Sequence, residues 1–161
     1  FNIKKDVIVD KTLTNFWYIG FIKIFFPKST IIHVSRNPKD NCLSIYENLF
    51  DYPEGWHSQE NELAEYYLIY KDIMKFWHMT FKNQILDIKY EDLINDSEKK
   101  IKEIIKFCNL DWDVKCLGFY NNNNPIKTLS VNQANKPIYK SSIDKSKIYK
   151  KELETLFSKL N

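Results

Sequence analysis

Arg36 is the residue around which chemistry is easiest to build. It leaves a β-branched apolar run, Thr30 to Ser35 (TIIHVS), and precedes Asn37-Pro38, an N-cap and first-turn pair that opens a helix running to about Phe50. A guanidinium at such a junction adds full charge to the exposed N–H groups and dipole of the helix end, a combination that suits a phosphate. Ser44 follows about two turns into that helix, near enough in angle for its hydroxyl to share one phosphate dianion with the guanidinium fork. The plain alternative is that Arg36 makes a surface ion pair and Ser44 is a small helix-packing residue; pattern alone does not choose. Lys11, after Val7-Ile8-Val9-Asp10, and Tyr90, after Ile85 to Lys89, stand with Arg36 at strand ends in this reading, where ligands sit in parallel α/β sheets. Taken alone, Lys11 reads as a solvated strand-end lysine, and Tyr90 equally well as a core tyrosine with its hydroxyl hydrogen-bonded. His33 and His78, on a strand and a helix, have no partner at metal spacing, and His57 sits in a loop beside Trp56, so no metal site is expected.

The elements that must position these residues alternate along the chain. Val7-Ile8-Val9 reads as a short buried strand, and Thr14 or Asn15 caps a helix that Pro27 stops. Strand 30–35 and its helix follow, then a loop from Asp51 to Ser58 with Pro53 and Gly55. Apolar and aromatic residues recur at three- and four-residue spacing from Glu60 to Met79, including Leu63, Tyr66, Tyr67, Tyr70, Met74 and Trp77, which predicts a long amphipathic helix. That stripe is more often core than ligand contact, although its exposed edge could line an acceptor cleft. A third strand, Ile85 to Lys89, leads through Tyr90-Glu91-Asp92-Leu93 to Asp96, the cap of a helix from Ser97 to Cys108. Residues 121–142 are polar, basic and irregular, and a final helix is expected from Lys145 to Leu160. Three strands, each apolar on both faces and separated by helices, predict an α/β fold with a parallel sheet.

The chain has 161 residues, the length of one domain with one core. With 43% hydrophobic and 28% charged residues it belongs among folded globular chains rather than disordered ones. No apolar run reaches the ~18 residues of a membrane span. Cys42, Cys108 and Cys116 have no CxxC spacing and fit a reducing compartment, so a cytoplasmic location is expected. The net charge of +3 is too modest and too interleaved to predict nucleic-acid binding and serves a small anion equally well.

The run from Phe26 to Tyr46 (FPKSTIIHVSRNPKDNCLSIY) resembles the 3′-phosphate-binding segment of sulfotransferases that use 3′-phosphoadenosine-5′-phosphosulfate (PAPS), with Arg36 and Ser44 at the family's spacing. The nearest likeness is to the bacterial group whose sulfotransferase domain often follows tetratricopeptide repeats; tyrosylprotein sulfotransferases are more distant. Asp10-Lys11 with Asn15, Tyr66-Tyr67 with Met74 and Trp77, Tyr90-Glu91-Asp92-Leu93, Ser130-Val131-Asn132-Gln133 and Lys136 to Ser142 also match in order, so the likeness covers essentially the whole chain. It implies a P-loop-like three-layer α/β fold and a single partial sulfotransferase domain over residues 1–161. It also implies that Arg36 and Ser44 hold the 3′-phosphate of PAPS, that Tyr90 lies near the nucleotide, and that Ser130 and Lys136 close over the phosphates. Lys11 would be catalytic, stabilising charge on the bridging oxygen of the leaving phosphate. The family's first strand and its Pro-x-Ser-Gly-Thr-Thr phosphosulfate loop have no counterpart here, because none of Gly20, Gly55 and Gly118 lies in such a segment. Phe1 is not an initiator Met, so the chain reads as a cut from a longer one, with the phosphosulfate loop and the carboxylate base upstream. Asn48 stands where the tyrosylprotein relatives carry a second basic residue. The implied acceptor is a hydroxyl or amine on a small molecule, glycan or peptide, with no metal, nucleic acid or membrane involved. The alternative is a nucleotide-phosphate-binding module of the same fold without transfer; a P-loop phosphotransferase would need an upstream Gly-x-x-x-x-Gly-Lys-Ser/Thr loop.

Overall fold

A computed structural model describes residues 7–48, 55–121, 138 and 140–160. Within them, helix α1 (Ile19–Phe25) follows a 3-10 turn (Leu13–Trp17) and leads to strand β1 (Ile31–Ser35) and helix α2 (Pro38–Tyr46). Helix α3 (Glu60–Thr80) then leads to strand β2 (Ile85–Lys89) and the short helices α4 (Tyr90–Asn95) and α5 (Ser97–Phe107). A kinked 3-10 stretch (Val114–Asn121), a 3-10 turn (Lys145–Lys147) and helix α6 (Glu154–Lys159) complete the order. The fold is α/β, as expected: β1 and β2 pair in parallel, with Ile31 opposite Ile85 and Ser35 opposite Lys89, and helices flank the pair.

Local signals explain most of these elements. Asn37 accepts hydrogen bonds from the backbone N–H groups of Lys39 and Asp40, and Pro38 follows at the position where a missing N–H costs nothing. Asp96 caps α5 through the Lys99 N–H. The apolar stripe of α3 divides its work between two clusters. Toward its N-terminal end, Leu63 and Ala64 join Cys42 and Leu43 of α2 and Leu153, Leu156, Phe157 and Leu160 of the C-terminal segment, and each of these residues is buried. Farther along, Met74 packs with Ile19 and Ile85, and Phe16, Tyr70, Trp77 and Phe81 close round them. α1 crosses so near Trp77 that a Cβ on Gly20 would stand 2.8 Å from the indole, which explains a glycine inside a helix. The Trp77 indole N–H also donates to the Phe16 carbonyl at 2.7 Å.

Three expectations fail for physical reasons. Val7-Ile8-Val9 is neither a strand nor buried, with Val9 84% exposed. β-branched composition permits a strand, but only pairing makes one, and among the described residues β1 and β2 pair with each other alone. The described sheet therefore has two strands rather than three. The final helix is confined to Glu154–Lys159, because Asp144 takes the left-handed conformation (φ 62°) and residues 145–153 form a 3-10 turn and further turns. Of the expected loop at 51–58, residues 51–54 lie outside the described residues. The described part begins with Gly55 at φ 67°, where glycine carries no steric cost.

Burial has a consequence at high pH. Desolvation pushes the Cys42 thiol from an ordinary value near 9 up to about 12, and it pushes the neighbouring Tyr67 hydroxyl up to about 12 as well. Both groups favour the folded state while protonated. Their contribution is complete below pH 9 and is lost as pH rises toward 12. The urea midpoint should therefore fall across that window, and Cys42→Ala should flatten the fall; a slope unchanged in the variant would remove Cys42 from the account.

Candidate functional site

Arg36 leaves the carboxyl end of β1, and Tyr90 leaves that of β2 one step beyond the Ser35–Lys89 pair. Their side chains meet, with the guanidinium carbon 5.0 Å from the centre of the Tyr90 ring. Arg36 Nη2 donates to the Ser142 carbonyl, and the Tyr90 hydroxyl donates to Ser142 Oγ at 3.4 Å. Arg36 Nε is buried and has no hydrogen-bond partner, and no carboxylate pairs with the guanidinium among the described residues. Among the described residues, then, Arg36 makes no surface ion pair. A half-buried guanidinium with an unmatched N–H has capacity for an anion.

The end of α2 contributes less than its position suggests. Pro38 has no N–H, those of Lys39 and Asp40 are taken by Asn37 Oδ1, and the Asn37 N–H donates to Glu91 Oε1 at 2.8 Å. The residues that make α2 legible as a helix start are the same ones that occupy its amide donors. What remains for an anion is the helix dipole and the Arg36 charge, not a cradle of free N–H groups.

Ser142 stays on Arg36 because of Asp40, a residue that pattern reading passed over. Its carboxylate is 1% exposed, and it accepts from the backbone N–H groups of Asp144 at 2.7 Å and Ser146 at 2.8 Å. Lys145 adds an ion pair to Glu47 at 2.5 Å. No residue type or spacing near Asp40 announces a partner more than a hundred positions away; a lone acid in the first turn of a helix normally reads as a dipole-compensating surface group.

Of the other expected residues, two are described and two are not. Ser44 is half-buried in the last part of α2, and its carbonyl accepts from Asn48 Nδ2 at 2.5 Å. Asn48 therefore finishes the helix instead of supplying charge. Lys11 is exposed, held in a turn in which Asp10 Oδ1 accepts from the Thr12 N–H at 2.9 Å and the Thr12 hydroxyl at 2.7 Å. The Thr12 hydroxyl, with Asn15 and the Thr12 N–H, keeps the Asp10 carboxyl below its ordinary range. Lys11 does not end a strand, contrary to expectation, because residues 7–10 are unpaired. Ser130 and Lys136 lie outside the described residues. The aromatic stripe of α3 is partly open at its edge: Trp56 stacks on Tyr66 at 4.0 Å, and the Trp17 indole N–H donates to the Tyr66 hydroxyl at 3.2 Å. Among the described residues no helix is long and apolar enough to cross a membrane.

Asp40→Ala would leave the buried Ser146 amide and the part-buried Asp144 amide without their acceptor, at a cost of about 1–3 kcal/mol. Chemical denaturation should read that loss, and hydrogen exchange should show the Asp144 and Ser146 amides losing protection first. Unchanged protection at those two amides would mean that the segment is held by something else.

Comparison with known proteins gives two findings. A family model described as the sulfotransferase family matches residues 2–114, a stretch that contains Lys11, Arg36, Ser44 and Tyr90. An uncharacterized protein of Aquifex aeolicus (strain VF5) is 36% identical over 149 residues, covering 91% of this chain and 20% of that protein. The chain thus spans about one fifth of the length of this curated relative.

Proposed function

Because the chain belongs to the sulfotransferase family, we propose that it carries the 3′-phosphate half of a PAPS site, and that the protein it serves moves a sulfonate group from PAPS to a hydroxyl or amine. The observation that carries this reading is the Arg36 guanidinium: half-buried, without a carboxylate among the described residues, its Nε unmatched, and held between the Tyr90 ring and the Ser142 carbonyl. Arg36 binds the 3′-phosphate, Ser44 adds its hydroxyl, and Tyr90 flanks the nucleotide. The segment latched by Asp40 covers the phosphate, with Ser130 and Lys136 closing from the same C-terminal stretch.

In the transfer the bond between sulfur and the bridging phosphate oxygen breaks as a bond from sulfur to the acceptor oxygen or nitrogen forms. The acceptor's proton leaves to a carboxylate base, and negative charge collects on the bridging oxygen. Lys11 stabilises that charge, so its contribution is larger in the transition state than in the bound substrate. The 161 residues contain no glycine-rich loop to wrap the 5′-phosphosulfate. The chain alone therefore binds the nucleotide without turning it over, as one partial domain. A longer protein that binds the nucleotide yet never transfers sulfonate would instead be a binding module of the same fold.

Arg36→Ala should weaken binding of 3′-phosphoadenosine 5′-phosphate by about 2–4 kcal/mol in calorimetry. Binding of adenosine 5′-phosphosulfate, which lacks the 3′-phosphate, should change little. Equal losses for both nucleotides would point to misfolding, and turnover by this chain alone would overturn the assignment of its missing half. In a protein that completes the site, Lys11→Ala should lower kcat by roughly 10²-fold with nucleotide affinity kept; normal turnover would return Lys11 to a solvated role.

A further inference from the structure

Sequence spacing gives His33 and His78 no common partner, but the sheet register supplies one. His33 on β1 stands directly opposite Asp87 on β2, on the sheet face that α3 covers, and α3 brings His78 to the same carboxylate. His33 Nδ1 lies 2.6 Å from Asp87 Oδ1, and His78 Nε2 lies 3.2 Å from the same oxygen. The three donor atoms all fall within 4.8 Å of one another, and the two imidazole centroids are 5.7 Å apart. We propose that His33, His78 and Asp87 form a binding site for a divalent transition-metal ion of the zinc class, tying β1, β2 and α3 together.

Three features favour an ion over a simple hydrogen-bond network. Around a tetrahedral zinc ion with bonds of about 2.0–2.2 Å, ligand atoms stand roughly 3.3–3.5 Å apart. The present donors reach that spacing by side-chain movements in which the His33–Asp87 pair opens from 2.6 Å while donors that stand up to 4.8 Å apart draw together. His33 is also held from behind, because its Nε2 meets the Tyr70 hydroxyl, whose ring packs on Phe16 at 5.3 Å and Tyr67 at 5.5 Å. An oxygen hydrogen-bonded to the far nitrogen fixes the orientation of a ligating histidine, leaving Nδ1 for the metal. Finally, the side chains grade outward, with His33 17% exposed, His78 33% and Asp87 54%. A metal can enter from the Asp87 side and keep water as its fourth ligand. Two imidazoles and one carboxylate select zinc, cobalt or nickel over magnesium or calcium, which prefer all-oxygen sites.

The site would act as a clamp. His33 precedes Arg36 by three positions and Asp87 precedes Tyr90 by three, so an ion at their level fixes the relative height of the two strand ends that carry the guanidinium and the ring. This inference does not depend on the sulfonate reading.

Cobalt chloride, titrated into chelator-treated chain, is the probe, read by visible d–d absorption and by calorimetry. One equivalent should bind, zinc should displace it, magnesium should not, and zinc should raise the melting temperature. His78→Ala, on the half-exposed side of α3, should abolish the signal with its circular dichroism unchanged. Tyr70→Phe should weaken binding roughly tenfold, and His57→Ala should leave it intact. Absence of cobalt binding at about 1 mM, binding that survives His78→Ala, or a thiolate charge-transfer band pointing to Cys108 or Cys116 would each overturn the proposal.

Discussion

The buried carboxylate of Asp40 is the constraint on which the rest of the molecule turns. A carboxylate removed from water is costly unless its oxygens are met, and here two backbone N–H groups from a distant segment meet them. The return of the C-terminal stretch to α2 follows from that requirement. Glu60 reinforces it from α3, where Oε2 accepts from the Leu156 N–H at 3.0 Å. Together these two acids seat Leu156, Phe157 and Leu160 against Cys42, Leu43 and Leu63, so polar matching decides where the apolar surfaces close. The same return sets the Ser142 carbonyl on Arg36, which links folding of the core to the shape of the candidate anion site.

Much of the neighbourhood of this candidate site is already satisfied. Asn37 Oδ1 takes two amides of α2, and Glu91 takes the amide of Asn37. Among the described residues, what the candidate site offers is the Arg36 guanidinium beside the Tyr90 ring, in place of a ring of identical donors. A guanidinium fork of this kind matches a planar or tetrahedral oxyanion offered edge-on.

Much of this was legible in sequence where the cause is local. The Asn37-Pro38 start, the Asp96 cap, strand 85–89 and the long α3 helix depend on neighbours within about a turn, and the structure reproduces them nearly residue for residue. What could not be read is pairing across distance. Val7 to Val9 has strand composition but no strand beside it. The last helix has helical spacing, yet Asp144 must turn left-handed to present its N–H to Asp40. The convergence of His33, His78 and Asp87 is equally invisible, since it exists only once β1 and β2 are aligned. For the candidate anion site, spacing identified Arg36 and Tyr90 as strand-end residues, and the structure sets them in contact. It could not foresee that the capping residue and the free helix amides were competing uses of the same atoms.

The parallel register of β1 and β2 also governs how the gene can vary. Side chains alternate faces with a period of two, so loss or gain of one codon inside either strand would send every later side chain to the opposite face. Ile32 and Val34 would turn toward α3, His33 would turn away from it, and Arg36 would swing off the Tyr90 ring. Length changes in the turns at residues 26–30 and 81–84 leave the alternation intact, since the strands can re-enter the sheet in phase. The two strands therefore tolerate substitution but not a change of length, which only the turns that precede them can absorb.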